Sequence, residues 1–205
     1  MQPNAYRYAA RGMLAGILLV LCACAGNAPV RFYTLSPLPA PPSPAPAEHG
    51  TTGPIIGVGP VVLPDYLNRP QIVTRKGQNV IAISDDHHWA GELRNTFTRV
   101  LVENLAVLLP TNRIATYPWG KSVPVRYQAT VNVMRFDGRL GESVTLNARW
   151  FLFNARKKTL LAKRATISKP VKGSTYTALA SAQSKALADL SREIAEALKR
   201  LTKSG

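Results

Sequence analysis

The chain has 205 residues and carries 26 Lys and Arg against 11 Asp and Glu, a formal charge of +15, an excess that points toward a polyanionic partner. Its two cysteines, Cys22 and Cys24, both sit near the N-terminus, which excludes a disulfide scaffold for everything downstream. From Ile55 to the end there are about 150 residues, enough for one domain with a sizeable core and too few for two.

Residues 1–23 read as an export leader, with Arg7 and Arg11 in a basic stretch, an apolar run over 13–20 and the turn Leu21-Cys22-Ala23-Cys24. The apolar stretch from Met13 to Ala25 is about a dozen residues, whereas a bilayer span needs roughly 20. Leu21 three positions back and Ala23 directly before Cys24 match a lipoprotein cleavage pattern, so Cys24 is expected to carry the lipid. Cleavage at Cys22 would put bulky Leu21 at the cut, and a soluble secreted protein cleaved near Ala25 is the competing reading. Several acyl chains on one thiol make a firm anchor, because each buried methylene contributes about 0.8 kcal/mol. Ala25, in place of an aspartate, leads to the outer membrane with the domain facing the periplasm. Losing Arg7 and Arg11 leaves 24 basic residues against 11 acidic, or +13. In that compartment nucleic acid is excluded as the natural partner. Anionic phospholipid head groups, lipopolysaccharide phosphates, an acidic protein face or a merely basic proteome account for the charge.

Residues 24–54 form the lipidated linker, with Pro37, Pro39, Pro41, Pro42, Pro44 and Pro46 inside ten residues. At about 3.1 Å per residue in polyproline II geometry, that stretch spans roughly 30 Å. Arg31-Phe32-Tyr33-Thr34-Leu35 is more apolar and suggests a short docked strand. The domain, 55–205, opens with a strand over 55–63 ended by Pro64, then two strands over 71–75 and 79–83 joined at Lys76-Gly77 as a hairpin. Ser84-Asp85-Asp86 supply N-cap side chains for a helix whose face carries Trp89, Leu93, Phe97, Leu101, Leu105 and Leu108, stopped by Pro110. A strand over 113–117 follows, then the Pro118-Trp119-Gly120 turn. A long strand from Val125 places Tyr127, Ala129, Val131, Val133 and Phe136 on interleaved faces, and Asp137-Gly138 marks a turn. Strands over 144–154 and 159–168 flank the Arg156-Lys157-Lys158 corner. Ser174 or Thr175 caps a last helix with Leu179, Gln183, Leu187, Leu190, Ile194, Leu198 and Leu201 as its seam. The fold class is α+β, a mostly antiparallel sheet with two long helices packed on one face.

No catalytic constellation emerges, and the chain reads as a non-enzyme. His49 lies in the linker and His87-His88 at the expected helix start, without metal-ligand spacing to other donors; no G-x-S-x-G occurs; and the sparse acids form no facing pair. Gly57-Val58-Gly59-Pro60 lacks the helix a phosphate loop needs. No cofactor or metal is expected. The rigid stretch Leu63-Pro64-Asp65-Tyr66-Leu67-Asn68-Arg69-Pro70-Gln71-Ile72-Val73 displays an aromatic, an aliphatic and an arginine between prolines, the composition of a binding loop. The other reading tucks Tyr66 and Leu67 under the domain's own sheet.

The lipidation pattern at Cys24, Phe32-Tyr33-Thr34-Leu35, the Gly57-Val58-Gly59-Pro60 strand, the 63–73 stretch and Trp89 together resemble the ABC-type transport auxiliary lipoproteins, specifically the PqiC (paraquat-inducible protein C) branch. The similarity covers nearly the whole mature chain. It implies a non-enzymatic outer-membrane lipoprotein that works with an MCE-domain protein in moving phospholipids or other lipids between membranes. On that reading Leu63, Pro64, Tyr66, Leu67, Arg69, Pro70 and Gln71 contact the MCE partner or a neighbouring copy in a homo-oligomer. A lipoprotein activator of a cell-wall or envelope-assembly enzyme is the alternative, and a lipid carrier would need an internal apolar cavity.

Overall fold

The computed structural model describes residues 29–39, 53–111 and 113–203. Cys24, the leader and most of the proline-rich stretch lie outside the described residues. The strands are β1 (Arg31–Tyr33), β2 (Ile55–Val62), β3 (Gln71–Arg75), β4 (Ile81–Trp89), β5 (Ile114–Thr116), β6 (Val125–Gly138), β7 (Ser143–Asn154) and β8 (Thr159–Pro170); the helices are α1 (Leu93–Leu108) and α2 (Tyr176–Lys203). They build a five-stranded sheet, β5-β2-β6-β7-β8, and a three-stranded sheet, β1-β4-β3.

The expected α+β class holds, with mixed sheets. Strand β2 runs parallel to β5 and β6, and β1 parallel to β4, while the antiparallel β6–β7 and β7–β8 ladders carry most of the pairing. Alternation on β7 puts Val144, Leu146, Ala148, Trp150 and Leu152 on one buried face. Against them β6 sets Ala129, Val131 and Val133, and a bulge between Val133 and Arg135 resets the phase so that Phe136 joins the same face opposite Leu146. Helix α2 covers this face over β6, β7 and β8, while α1 lies beside it over β2 and β5. The apolar seam read from the sequence is what α2 buries: Leu179, Gln183, Leu187, Leu190, Ile194 and Leu198. Thr175 caps it, its hydroxyl accepting from the Ala178 N–H at 3.2 Å. Trp150, Phe97 and Phe136 are fully buried, so side chains fill the space between sheet and helices.

Two local expectations are overturned. Asp85, Asp86, His87, His88 and Trp89 belong to β4 and not to a helix start. Residues 87–89 pair with Arg31, Phe32 and Tyr33 of β1, so a partner distant in the chain commits them to strand. Helix α1 starts at Leu93 after Glu92, which makes no side-chain capping bond. Likewise Asp137-Gly138 is no turn: β6 runs through both, and the reversal falls over 139–142, closed by Arg139 N–H to the Ser143 carbonyl at 3.0 Å. Gly138 is needed for close approach, since a Cβ there would lie 2.7 Å from the Cα of Val144.

The segment assigned to the linker is partly inside the fold. The compact unit spans Arg31–Gly205, so its start precedes the expected Ile55. Leu35 is 1% exposed. Behind it, the Ser36 N–H donates to Ser184 Oγ at 3.0 Å and the Leu38 N–H to Asn104 Oδ1 at 2.7 Å. Asn104, fully buried in the apolar seam of α1, also donates to Ser191 Oγ on α2 at 3.0 Å. One amide therefore joins the N-terminal strap to both helices. Replacing Asn104 by Ala removes the acceptor of the half-buried Leu38 N–H and the buried bond to Ser191, a loss of about 1–3 kcal/mol; chemical denaturation will read it, with faster hydrogen exchange over residues 36–38.

Candidate functional site

The loop singled out in the sequence leaves β2 at Val62 and returns as β3 at Gln71. Pro64, with its φ of −66° set by the ring, leads into a 3-10 turn over Asp65–Leu67, closed by Leu67 N–H to the Pro64 carbonyl at 3.0 Å and Asn68 N–H to the Asp65 carbonyl at 2.9 Å. Leu67 is buried, and Leu63 and Tyr66 pack half-buried against the core. The Pro70 carbonyl accepts from the Trp89 N–H at 2.7 Å, and Gln71 pairs with His88. The crossover reading therefore accounts for Tyr66 and Leu67. Asp65, Asn68 and Pro70 are exposed and Arg69 is half-buried.

Tyr66 is held by Asp137, whose Asp-Gly pair has the composition of a turn. Its hydroxyl donates to Asp137 Oδ2 at 2.8 Å. The same carboxylate, 0% exposed, accepts from Arg75 Nε at 3.0 Å on Oδ1 and Nη2 at 2.9 Å on Oδ2, a bidentate pair, and from Arg135 Nε at 2.9 Å on Oδ1. Burial opposes the charged form, but the hydrogen bonds from Arg75, Tyr66 and Arg135 outweigh it and hold Asp137 below the ordinary carboxylate range. Burial, followed by the bond to Asp137, pushes the Tyr66 phenol up to about 12. The signal in the sequence was there to find: Asp137 is the only acid between Glu103 and Glu142, two residues from Arg135 and so on the same strand face. All three groups donating to it serve to place the loop; nothing in the arrangement activates a nucleophile.

Beside the loop a cleft of about 410 Å³ is lined by Phe32, Arg69, Pro70, Trp89, Glu92 and neighbours. Phe32 is 66% exposed at its mouth. Arg69 Nε is buried there without a hydrogen-bond partner among the described residues. His87 is engaged elsewhere: the Tyr33 hydroxyl lies 2.8 Å from its Nδ1, and its ring stacks on Tyr176 at 3.9 Å between centroids. Among the described residues no group of three or more His, Cys, Asp or Glu is placed to hold a metal.

Residues 33–195 match the ABC-type transport auxiliary lipoprotein component family. The chain belongs to that family. No curated protein matches the sequence. Two solved structures share the fold of this chain. One is the crystal structure of an uncharacterised protein, 19% identical, with TM-score 0.68, covering 83% of this chain and 99% of that one. The other is XCC0632 from Xanthomonas campestris, matched by the family model DUF330, at 16% identity and TM-score 0.61, covering 80% of this chain and 92% of its own. A fainter likeness, TM-score 0.43 at 11% identity over 68% of this chain and 86% of that one, is to the PelC dodecamer from Paraburkholderia phytofirmans. The auxiliary-lipoprotein match starts at the last residue of β1 and takes in the loop, β2 to β8 and most of α2.

The buried carboxylate makes stability pH-dependent in a defined way. Because Asp137 titrates below its unfolded value of 3.8, its contribution is complete above that pH and lost as pH falls through the lower folded value. Tyr66 adds a contribution that is complete below 10.0 and lost as pH rises from there to about 12. Asp137→Asn is expected to remove the acid-side dependence and Tyr66→Phe the alkaline one, both read by urea unfolding across pH. Asp137→Ala, which leaves Arg75 without its counter-ion in a mostly buried position, should cost about 3–5 kcal/mol.

Proposed function

We propose that this auxiliary lipoprotein is a non-catalytic component of an MCE-type system moving phospholipids between the two membranes. It is tethered through Cys24 to the periplasmic face of the outer membrane and serves there as the docking partner of an MCE-domain protein. The family match over residues 33–195 carries this reading. Three features support it: the lipidation pattern at Cys24, a domain whose core is filled by side chains such as Trp150 and Phe97, and a rigid loop presenting an arginine at the rim of a cleft. The filled core favours docking over carriage of a lipid inside the domain.

The docking surface on this reading is narrower than the whole loop. Leu63, Tyr66 and Leu67 shape it from within, and Asn68, Arg69, Pro70 and Gln71, with Phe32 across the cleft, face the partner. Arg69→Glu is expected to keep the fold and abolish recovery of an MCE-domain protein when the lipidated chain is pulled from solubilised envelopes and its companions are identified by mass spectrometry. Recovery equal to the parent protein would return the loop to a purely structural role. In fractionated cells, Cys24→Ser should shift the chain from the outer-membrane pool; an unchanged distribution would sink the tether.

A further inference from the structure

The five-stranded sheet has a second face. Helices cover one side, and on the other the same alternation turns outward Asn132 of β6, Arg149, Phe151 and Phe153 of β7, and Ala162 and Arg164 of β8. Arg149 and Arg164 are direct cross-strand partners, and both are exposed. Like charges placed opposite each other destabilise a sheet. Among the described residues neither has an ion-pair partner; the recorded contact of Arg164 is to the Met134 sulfur at 3.9 Å. Next to them Phe151 and Phe153 stack at 6.1 Å between centroids with 25° between planes, both half-buried. Acids are missing from this part of the chain altogether: residues 143–188 hold nine Lys and Arg and no Asp or Glu. The unbalanced charge noted in the whole sequence is concentrated in the β7–β8 hairpin and its flanks.

We propose that this face lies against the surface of an anionic phospholipid bilayer, Arg149 and Arg164 taking lipid phosphates while Phe151 and Phe153 rest at the boundary between head groups and acyl chains. Charge complementarity selects an anion, and a guanidinium fork fits phosphate oxygens in pairs. The phenylalanines select an amphiphile over a purely acidic protein face, because stacked rings beside an arginine pair offer nothing to a carboxylate-rich surface and gain by meeting hydrocarbon. The inference rests on the reading that the chain works at a membrane, and it adds a contact separate from the Cys24 tether and from the loop. It also accounts for a facing arginine pair that works against the sheet: a stability cost at a functional surface.

Hydrogen exchange of the full chain, followed over residues 143–170, tests it. Strand β8 is the outermost strand, so its outward N–H groups report directly on anything that covers the edge and face. Vesicles containing phosphatidylglycerol are expected to slow exchange there, phosphatidylcholine vesicles to leave it unchanged, and added salt to reverse the protection. The double variant Arg149→Glu, Arg164→Glu should lose the protection and Arg149→Lys, Arg164→Lys keep much of it. Arg149→Thr should lose part of it while raising the thermal midpoint, a combination that a purely structural arginine would not produce. Protection equal in neutral and anionic vesicles, protection unchanged in the charge-reversed variant, or protection by polyglutamate alone would each overturn the proposal. A failure here leaves the envelope pull-down result as it stands, so the two readings fall separately.

Discussion

A single carboxylate, Asp137, holds the domain's parts in register. It is fully buried on β6 and receives Arg75 from β3, Arg135 from its own strand and Tyr66 from the 3-10 turn. A charge taken out of water needs this many donors, because its desolvation is offset only when most of its lone pairs are used. Each donor comes with its element attached. The small sheet and the 63–73 loop are thereby set against the large sheet at a defined position, which packing of Leu67 and Ile72 alone would leave freer to slide. A hydrogen-bonded ion cluster is directional where apolar contact is not.

The same logic works at the other end of the domain. The strap over residues 31–38 contributes β1, buries Leu35, and closes onto Ser184 and Asn104. Two of its backbone N–H groups, those of Ser36 and Leu38, are met by polar side chains on the two helices. The strap is therefore hydrogen-bonded to both helices and paired with β4, which ties the N-terminal edge of the domain to its core.

The outer surface divides by chemistry. The loop and its cleft join Phe32, Arg69 and Trp89 on the side of the small sheet, whereas the open face of the large sheet carries paired arginines and stacked phenylalanines. The first suits a protein partner approached through a rigid rim; the second suits an anionic amphiphile. The two surfaces lie on different sheets.

Much was legible in the sequence because it is locally determined. The seams of α1 and α2, the Lys76-Gly77 hairpin turn, the Arg156-Lys157-Lys158 corner and the long β7–β8 pair follow from periodicity and turn chemistry that neighbouring residues settle among themselves. The loop was recognised as rigid from its prolines. What escaped were features decided by partners far along the chain. Residues 85–89 carry signals of a helix start, yet pairing with β1, more than fifty positions away, makes them strand; Asp137-Gly138 has the composition of a turn, yet Arg75 and Tyr66 arriving from elsewhere make it the interior of β6. The sequence by itself determined the apolar faces, the excess of positive charge, the family and the lipidation pattern. Only the tertiary structure decided that Tyr66 points inward, that the strap belongs to the core, and that Arg149 meets Arg164, because burial and cross-strand register are properties of the assembled sheets and not of any one segment.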